Sequence, residues 1–518
     1  MVNSTIQLLE CYKGFTSFVK TNVLNLIKRL AGQTLVYGVS TILVRLINYA
    51  LAPFHTRIFE DTSDFGLITI FYSYAAFLNI LFMYGMETAF FRFSTHEQNS
   101  KEDVLKTSQG LLIITTLLFT SLIWIFSDAI SAFIGYPGYS TWVKILSLII
   151  LFDTLSNIPF AYLRLQNQAF KYVGVKLMNV LVNVGLNFVL IILLVNHTEY
   201  LSQWSVYLGS KPLISVVFIC NLIASIVTFL CLLPHSLRIS FRPDMNLLIS
   251  MLKYGTPLII VGLAGMVNEV FDRLLLKKFL PGSPQFVDAQ IGIYSGCYKL
   301  GIFMNIAVQA FRMGAEPFFF KESKNVESKK LYADVMLYFS IFTLFIFLLV
   351  ALFLQTISYI IGPNYRSGLY IVPWLLMAYF FLGLSYQFST WYKLSGKTLF
   401  ATVFSIIAAV VTIVSTIVLA KSIGILAGAI GTLLGYITMT MLGYIAGQRY
   451  YPIPYPVAKV GLYMIIVLML YFVGYWLQSE IDSFILQIIF NLLIVFSFVV
   501  VVAFLEKNRW IHRVSKRK

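Results

Sequence analysis

The chain has few charged residues, few cysteines and few histidines for its length. Only 12% of its 518 residues are Asp, Glu, Lys or Arg, whereas a soluble protein carries about 25%. Its five histidines are scattered without the spacing of metal ligands. Its four cysteines form no CxxC pair. These deficits argue against a large soluble domain, a metal site and a disulfide framework.

Catalytic motifs are also missing. The segment LSGKT (394–398) is similar to the end of a phosphate-binding loop, but Trp391 stands where that loop requires its first glycine. A membrane glycosyltransferase or polymerase would need catalytic carboxylates in an external loop. The longest predicted external segment, 196–210, has Glu199 as its only acid. The sequence therefore predicts that the protein is not an enzyme.

Long apolar runs, by contrast, are abundant. Hydrophobic residues make up 59% of the chain. Runs of about 20 residues, each long enough to cross a hydrocarbon core, recur from Gln33 onward. The sequence therefore predicts an all-α polytopic membrane protein with about 14 spans. Their approximate bounds are 33–55, 66–91, 107–127, 140–160, 173–195, 211–233, 250–276, 291–315, 333–355, 370–390, 399–420, 424–447, 457–477 and 482–505.

Positive charge is distributed unevenly along the chain. There are 38 Lys and Arg against 22 Asp and Glu, a net charge of +16. Most of the cations fall on alternate loops and on the two ends, which the positive-inside rule assigns to the cytoplasm. Both termini are thus predicted to be cytoplasmic, with 1–30 as an amphipathic head on the membrane and 506–518 as a basic tail. Anionic lipid accounts for this charge, so no nucleic-acid partner is predicted.

Two short matches indicate an internal repeat. A Tyr-Gly pair at residues 37–38 recurs at 254–255, an offset of 217. The segment GMETAFFR (85–92) matches GAEPFFFK (314–321) at an offset of 229. Both matches fall at the ends of predicted spans and keep the same order. The longer loop before the eighth span accounts for most of the difference between the offsets.

The repeat predicts how the spans are grouped. Six spans separate the copies, so the two halves have the same orientation, as in transporters whose substrate site lies between parallel repeats. We expect an N-terminal six-helix lobe over 31–233 and a C-terminal one over 250–447. The proline-rich segment YYPIPYP (450–456) interrupts the helical pattern. Two appended helices follow over 457–505.

Several segments resemble a known family, the bacterial polysaccharide biosynthesis transporters. These are lipid-linked oligosaccharide flippases, related to the multidrug and toxin extrusion (MATE) exporters and to the lipid II flippase. The segments that carry the resemblance are LAGQTLVYGVSTILVRLINYALAPFHTRIF (30–59), GMETAFFRF (85–93), GLAGMVNEVFDRLLLK (262–277), IGIYSGCYKLGIFM (291–304), QAFRMGAEPFFFK (309–321), WYKLSGKT (391–398) and YYPIPYP (450–456).

The resemblance implies a MATE-like fold with two lobes around a central cavity, which opens alternately to either side. It implies a location in the bacterial inner membrane and an undecaprenyl-pyrophosphate-linked oligosaccharide as substrate. Membrane lipids are implied partners, and glycan-assembly proteins are further candidates. A cavity for such a substrate needs cations for the diphosphate, for which Arg offers a bidentate fork.

Arg45 is the first candidate for such a cation. It lies twelve residues after Gln33, so a helix places it about 18 Å up the first span, near the membrane midplane. Ionisable residues inside a span are costly and are therefore candidates for function. The interpretation of Arg45 as a phosphate contact competes with a structural ion pair to an acid on another helix, such as Asp153.

A second group of charges lies on the seventh and eighth spans. Glu269, Asp272 and Arg273 are spaced i, i+3 and i+4, so they share one face of a helix. Lys299 enters from the next span at a similar depth. In one interpretation Arg273 and Lys299 bind substrate, while Glu269 or Asp272, with Asn268 as a neutral ligand, binds a coupling H⁺ or Na⁺. In the other, the charges form an ion-pair network that only joins the two spans.

The repeated segments supply a third group near the cytoplasmic ends of their spans. Glu87 and Glu316 are equivalent acids, and Arg92 and Arg312 lie close to them in sequence. They are candidates for a cytoplasmic gate closed by salt bridges, or for permanent structural pairs. Apart from a coupling ion, no cofactor is predicted.

Two other functions stay open at this stage. A cation-coupled exporter of small molecules, as among the MATE relatives, would have a cavity dominated by acids. A membrane enzyme that polymerises or transfers glycan would form product in detergent without transport. The favoured prediction is a flippase for lipid-linked oligosaccharide.

Overall fold

The structure is a computed structural model that describes residues 42–95, 100–197, 199, 211–236, 244–323, 325 and 327–515. Within these residues the fold is all-α and contains no strand. Thirteen helices are long and apolar enough to cross a membrane. The predicted all-α membrane fold is confirmed, and the predicted count of about 14 spans is close.

The first predicted span and the basic C-terminal tail are only partly described. The span over 33–55 is helical at 42–49 and again at Leu51–Ile58, and its beginning lies outside the described residues. The predicted amphipathic head over 1–30 also lies outside them. We call 42–58 the first helix.

The other helices are named α1 to α16 in chain order. They are α1 (Thr62–Met83), α2 (Met86–Ser94), α3 (Lys101–Ile125), α4 (Ser127–Phe133), α5 (Ser140–Leu165), α6 (Ala169–Asn196), α7 (Pro212–Ser236), α8 (Met245–Gly255), α9 (Leu258–Phe279), α10 (Pro284–Glu322), α11 (Ser328–Leu352), α12 (Val372–Phe388), α13 (Leu399–Ile423), α14 (Leu426–Tyr450), α15 (Val457–Glu480) and α16 (Phe484–Ser515). Shorter helical turns, Leu354–Ile357, Ser358–Ile360, Pro363–Ile371 and Thr390–Leu394, connect some of them.

Local sequence explains where several helices begin and end. Asp61 caps α1 and Asp244 caps α8, each through a side-chain oxygen that accepts backbone N–H groups of the first turn. Tyr84 and Gly85 have positive φ angles of 32° and 74°, which separates α1 from α2. Pro284 begins α10 at a position where a missing N–H costs nothing.

Helices α1 and α10 cross at close range and join the N-terminal half (42–236) to the C-terminal half (245–450). A Cβ atom at Gly66 would lie 2.0 Å from the carbonyl oxygen of Asp288, and one at Gly292 would lie 1.8 Å from that of Thr62. The two contacts are equivalent, because 62 and 66 become 288 and 292 at a single offset of 226. Only glycine permits this backbone approach.

The repeat also extends to a turn that the sequence comparison did not include. Asn167 follows α5 with φ 56°, and Gly396, 229 positions later, precedes α13 with φ 71°. Both residues end a helix in the left-handed conformation, which Gly and Asn tolerate best. The two halves therefore share the same local backbone conformation at equivalent positions.

The two appended helices pack against α11. Gln478 of α15 and Asn491 of α16 both donate to the carbonyl oxygen of Leu352, at 2.9 and 3.0 Å. At the other end of the pair, the buried Glu506 accepts from Lys459 at 3.0 Å and from Tyr463 at 2.7 Å. Side-chain hydrogen bonds between helices thus reinforce contacts that are otherwise apolar.

Candidate functional site

A cavity of about 260 Å³ lies between the first helix and α10, where the two halves meet. Arg45 is exposed on its wall. We call it the Arg45 cavity. Its lining residues are Ile42, Arg45, Ile306, Gln309, Arg312, Met313 and Glu316. The spacing of the α10 members by three and four residues places them along one face of that helix.

The Arg45 cavity has an excess of positive charge. Two guanidinium groups, from Arg45 and Arg312, face it together with the single carboxylate of Glu316. That carboxylate also accepts from Lys393 at 2.8 Å, and the nearest Arg312 nitrogen is 3.8 Å away. The Arg312 guanidinium lies 4.4 Å above the ring of Tyr386. Two guanidinium groups therefore face the cavity with one carboxylate, and Lys393 already neutralises part of the charge of that carboxylate.

Arg45 forms no ion pair with any residue that the structure describes. Asp153, the alternative partner considered from the sequence, forms no salt bridge with Arg45 among the described residues. Nearby, Tyr49 holds the first helix against α10 by donating to the carbonyl oxygen of Lys299 at 2.8 Å. This contact joins the first helix to α10 one helical turn after Arg45.

Asp272 and Arg273 form a closed pair inside the C-terminal half. An Arg273 Nη1 lies 3.0 Å from an Asp272 oxygen, and the two side chains are only 7% and 2% exposed. The same nitrogen donates to the carbonyl oxygen of Glu269, and Tyr294 donates to the second Asp272 oxygen. The guanidinium also lies 4.2 Å above the ring of Tyr298. Each charge is thus satisfied by protein groups.

The other members of that predicted group have different surroundings. The Asn268 amide oxygen accepts from Thr412 at 2.7 Å and is buried. Glu269 projects an exposed side chain, and Lys299 is half-buried on α10. Among the described residues neither of these two charges has a salt-bridge partner. The structure therefore does not bring the four charges into one network.

The repeated acids Glu87 and Glu316 each pair within their own half. Glu87 accepts from Arg164, and Glu316 accepts from Lys393. The two bridges are equivalent, since 87 and 164 become 316 and 393 at the repeat offset of 229. In this conformation neither bridge joins the two halves. The cationic partners were missed from the sequence, although the same offset could have identified them.

Arg92 does contact the opposite half. Its guanidinium lies 4.2 Å above the ring of Tyr254, at the end of α8. Beside this contact, Gly85 approaches Gly255 so closely that a Cβ atom at Gly85 would lie 2.3 Å from the Gly255 oxygen. We call this the inner end of the bundle, after its predicted orientation.

At the opposite, outer end, two tyrosines reach across the halves. Tyr136 donates to Asp288 at 2.6 Å, and Lys277 donates to the same oxygen at 2.6 Å. Tyr365 donates to the carbonyl oxygen of Phe59 at 2.7 Å. We call these contacts the outer tyrosine contacts. They join the two halves at this end, and sequence reasoning did not single them out.

Metal binding has no support in the part of the chain that the structure describes. No group of three or more His, Cys, Asp or Glu side chains lies close enough together there to hold a metal ion.

Solved membrane transporters share this fold. A structure of the lipid II flippase MurJ in an inward closed conformation has a TM-score of 0.68 and 16% identity, covering 90% of this chain and 98% of that one. An inward-facing multidrug resistance MATE transporter has a TM-score of 0.53 and 15% identity, covering 81% and 95%. The Vibrio cholerae MATE transporter VcmN has a TM-score of 0.50 and 14% identity, covering 84% and 98%. Identities this low concern the fold alone.

Sequence comparison identifies the family. No curated protein is significantly similar to the chain. A family profile described as polysaccharide biosynthesis protein matches residues 30–323, more than half of the chain. The match includes Arg45, the cations of α10 and the glycine crossing of α1 and α10. The chain therefore belongs to the polysaccharide biosynthesis protein family, as the resemblance predicted.

Proposed function

We propose that the protein is a flippase that moves an undecaprenyl-pyrophosphate-linked oligosaccharide across the bacterial inner membrane. The observation that carries the proposal is the Arg45 cavity, where Arg45 and Arg312 face one space between the halves. A diphosphate is strongly disfavoured in hydrocarbon, and two guanidinium groups offer it charge-assisted, bidentate hydrogen bonds. The polyprenyl tail needs no such support, because it is soluble in lipid.

In the proposed mechanism, the halves rock about the crossing of α1 and α10. The outer tyrosine contacts and the Arg92–Tyr254 contact mark the two ends that open in turn. Rocking of parallel repeats around a fixed site is the usual form of alternating access. The substrate enters from the cytoplasmic leaflet and leaves to the periplasmic one, and no covalent step occurs.

Glu269 is the proposed coupling group for H⁺ or Na⁺. Its side chain is exposed within a span and has no salt-bridge partner among the described residues. Asp272 is held by Arg273 and Tyr294, so binding an ion there would require that pair to break. Asn268 is likewise engaged by Thr412. Of the candidates considered from the sequence, Glu269 therefore has the most suitable surroundings.

A cation-coupled exporter of small molecules ranks second. The MATE-like fold is compatible with it. The charge of the Arg45 cavity is not, because two arginines would repel a cationic drug. Resistance to cationic dyes on expression would favour this alternative.

Reconstituted vesicles test the proposal. The intact protein is placed in proteoliposomes, and transfer of an undecaprenyl-pyrophosphate-linked oligosaccharide is followed by protection from an impermeant glycosidase. We expect Arg45→Ala to slow transfer at least about tenfold, the value of one charge-assisted hydrogen bond, and Arg45→Lys to slow it less. Lys421→Ala, an exposed cation outside the Arg45 cavity, is the control. Normal transfer by Arg45→Ala would refute the cationic cavity.

A further inference from the structure

Helix α6 carries a continuous polar face that the Arg45 cavity does not use. Lys176, Asn179, Asn183 and Asn187 follow one another at spacings of three, four and four residues, so they lie on one face over about 16 Å. Polar residues in a span usually face protein or water, since hydrocarbon offers them no partner. The opposite face is apolar and exposed, as at Leu181. The polar face therefore points into the N-terminal half.

Two neighbouring helices present matching polar faces. On α5, Asp153 and Asn157 are four residues apart and lie above Arg164, and all three are half-buried. On α1, Tyr72 and Asn79 are seven residues apart and are also half-buried. Part of these faces is paired with α7: Asn179 donates to Thr228 at 2.8 Å, and the Tyr72 hydroxyl accepts from Asn221 at 3.1 Å. The remaining polar side chains of the three membrane-spanning helices continue the same faces. We call the space they border the N-terminal polar chamber.

Contacts show that these faces meet. Lys176 lies 4.2 Å above the ring of Phe160, so α6 faces α5. Asn157 contacts Met83 at 3.2 Å, so α5 faces α1. Each contact involves side chains from different helices. The chamber is therefore a feature of the packed N-terminal half.

Two amide groups in the chamber each have an atom without a hydrogen-bond partner among the described residues. The Asn183 oxygen accepts from Asn187 at 3.1 Å, while no described residue accepts from the Asn183 amide nitrogen. The Asn79 amide oxygen is buried without a hydrogen-bond partner. Native proteins rarely leave such groups unused. Asn183 is half-buried and lies one turn from Asn187, which contacts His55 of the first helix, so part of its side chain remains accessible.

The charge of the chamber differs from that of the Arg45 cavity. The chamber carries two acids, Asp153 and Glu87, and two cations, Lys176 and Arg164, of which Glu87 and Arg164 form a salt bridge. A formally neutral site rich in amides suits a neutral ligand with many hydroxyl groups, because an amide both donates and accepts. A diphosphate would instead require an excess of cations.

The chamber and Arg45 lie at a similar depth. His55 of the first helix is 3.0 Å from Asn187 of α6, which sets the two helices in register. Arg45 is ten residues before His55 and Lys176 is eleven before Asn187. At the helical rise these are about 15 and 16 Å toward the inner end. A diphosphate at Arg45 would thus lie at the level of Lys176. Asn183, seven residues after Lys176, lies about 10 Å nearer the outer end, where sugars attached to that diphosphate would reach it.

We propose that the N-terminal polar chamber binds the saccharide part of the substrate, with Asn183 and Asn157 donating and accepting hydrogen bonds at sugar hydroxyls. This inference rests on the proposed function. It divides recognition between two places: arginines for the diphosphate, and amides for the sugars. The amides then determine which glycan is accepted, while the arginines do not distinguish glycans.

Binding measurements test this division. The full chain in lipid nanodiscs is titrated with two probes, undecaprenyl pyrophosphate and the undecaprenyl-pyrophosphate-linked oligosaccharide extracted from the source organism. We expect Asn183→Leu and Asn157→Leu to weaken binding of the sugar-bearing probe about tenfold, the value of one or two hydrogen bonds, and to leave the bare probe within about twofold. Asn183→Ser should lose less. Leu181→Ala, on the lipid face of α6, should change neither affinity.

The outcomes separate the two proposals. Equal weakening of both probes by the Asn157 and Asn183 variants, or no weakening of either, would overturn the saccharide chamber. Equal affinity of the unmodified protein for both probes would overturn it as well. Failure of the unmodified protein to bind either probe would overturn the proposed function itself. The two variants lie on different helices, so misfolding of one, detected by gel filtration, leaves the other to decide.

Discussion

Tyr136 and Tyr365 are equivalent residues that each bridge the two halves of the protein in opposite directions. They lie 229 positions apart. Tyr136 of the N-terminal half donates to Asp288 of the C-terminal half at 2.6 Å, and Tyr365 donates to the Phe59 carbonyl oxygen at 2.7 Å. The repeat thus produces a symmetric pair of contacts at the outer end, and in the proposed mechanism both must break when that end opens.

Removal of either hydroxyl should favour opening of the outer end. Tyr365→Phe loses a hydrogen bond to a neutral carbonyl, worth about 1 kcal/mol, and Tyr136→Phe loses one to a carboxylate, worth about 1.5–3 kcal/mol. We expect the open population to rise more in Tyr136→Phe. Distances between spin labels at the outer loops measure it. Tyr475→Phe, on an exposed part of α15, should leave the distances unchanged, and an unaltered distribution in Tyr136→Phe would contradict the expectation.

The glycine crossing predicts a strong effect of a single methyl group. In Gly292→Ala the new Cβ atom would lie 1.8 Å from a carbonyl oxygen, so α1 and α10 would have to separate. Overpacking of this kind costs about 1–3 kcal/mol or more. We expect a clear fall in the thermal unfolding temperature in detergent. Gly185→Ala has open space around its Cβ atom and should unfold like the unmodified protein.

The Asp272–Arg273 pair should behave as a structural unit. Removing one partner leaves an uncompensated buried charge, so Asp272→Ala should lower the free energy of unfolding by about 3–5 kcal/mol. The double variant Asp272→Leu with Arg273→Met should recover much of this loss, because it leaves neither charge alone. Unfolding titrations in SDS provide the measurement. Additive losses in the double variant would show that the charges act independently.

Glu269 should affect coupling more than stability. We expect Glu269→Gln to abolish the stimulation of transfer by an imposed H⁺ or Na⁺ gradient, because the amide cannot exchange a proton and binds Na⁺ weakly. Its unfolding curve should change little, since the side chain is exposed. Proteoliposomes with and without a gradient distinguish these effects. Full stimulation in Glu269→Gln would exclude this residue as the coupling group.

The repeated acids Glu87 and Glu316 should each depend on a cationic partner from their own half. Glu316→Lys places three cations together and should impair transfer, and adding Lys393→Glu should restore it because the pair is re-formed in reverse. Combining Glu316→Lys with Arg164→Glu should not restore it, since Arg164 pairs with Glu87. Transfer rates of the three variants decide this. Little change in stability is expected, as partly exposed ion pairs contribute about 0–1 kcal/mol.

The membrane fold, the order of its spans and the repeat could be predicted from sequence. An apolar run of twenty residues crosses lipid as an α-helix, because a helix satisfies its own backbone hydrogen bonds. Glu87 and Glu316 were recognised as equivalent because they lie in two matching short segments. Such a match can be found in the sequence without knowledge of any tertiary contact. The family resemblance was carried by such local segments.

Only the tertiary structure decided which charges face the cavity and which face each other. The i, i+3 and i+4 spacing placed Glu269, Asp272 and Arg273 on one face, yet Arg273 pairs with its neighbour Asp272 and Glu269 projects elsewhere. Arg312, a candidate for the predicted gate, lines the Arg45 cavity. Helical periodicity fixes positions along and around one helix. The rotation of that helix against its neighbours depends on packing, such as the crossing at Gly66 and Gly292, which no single span encodes.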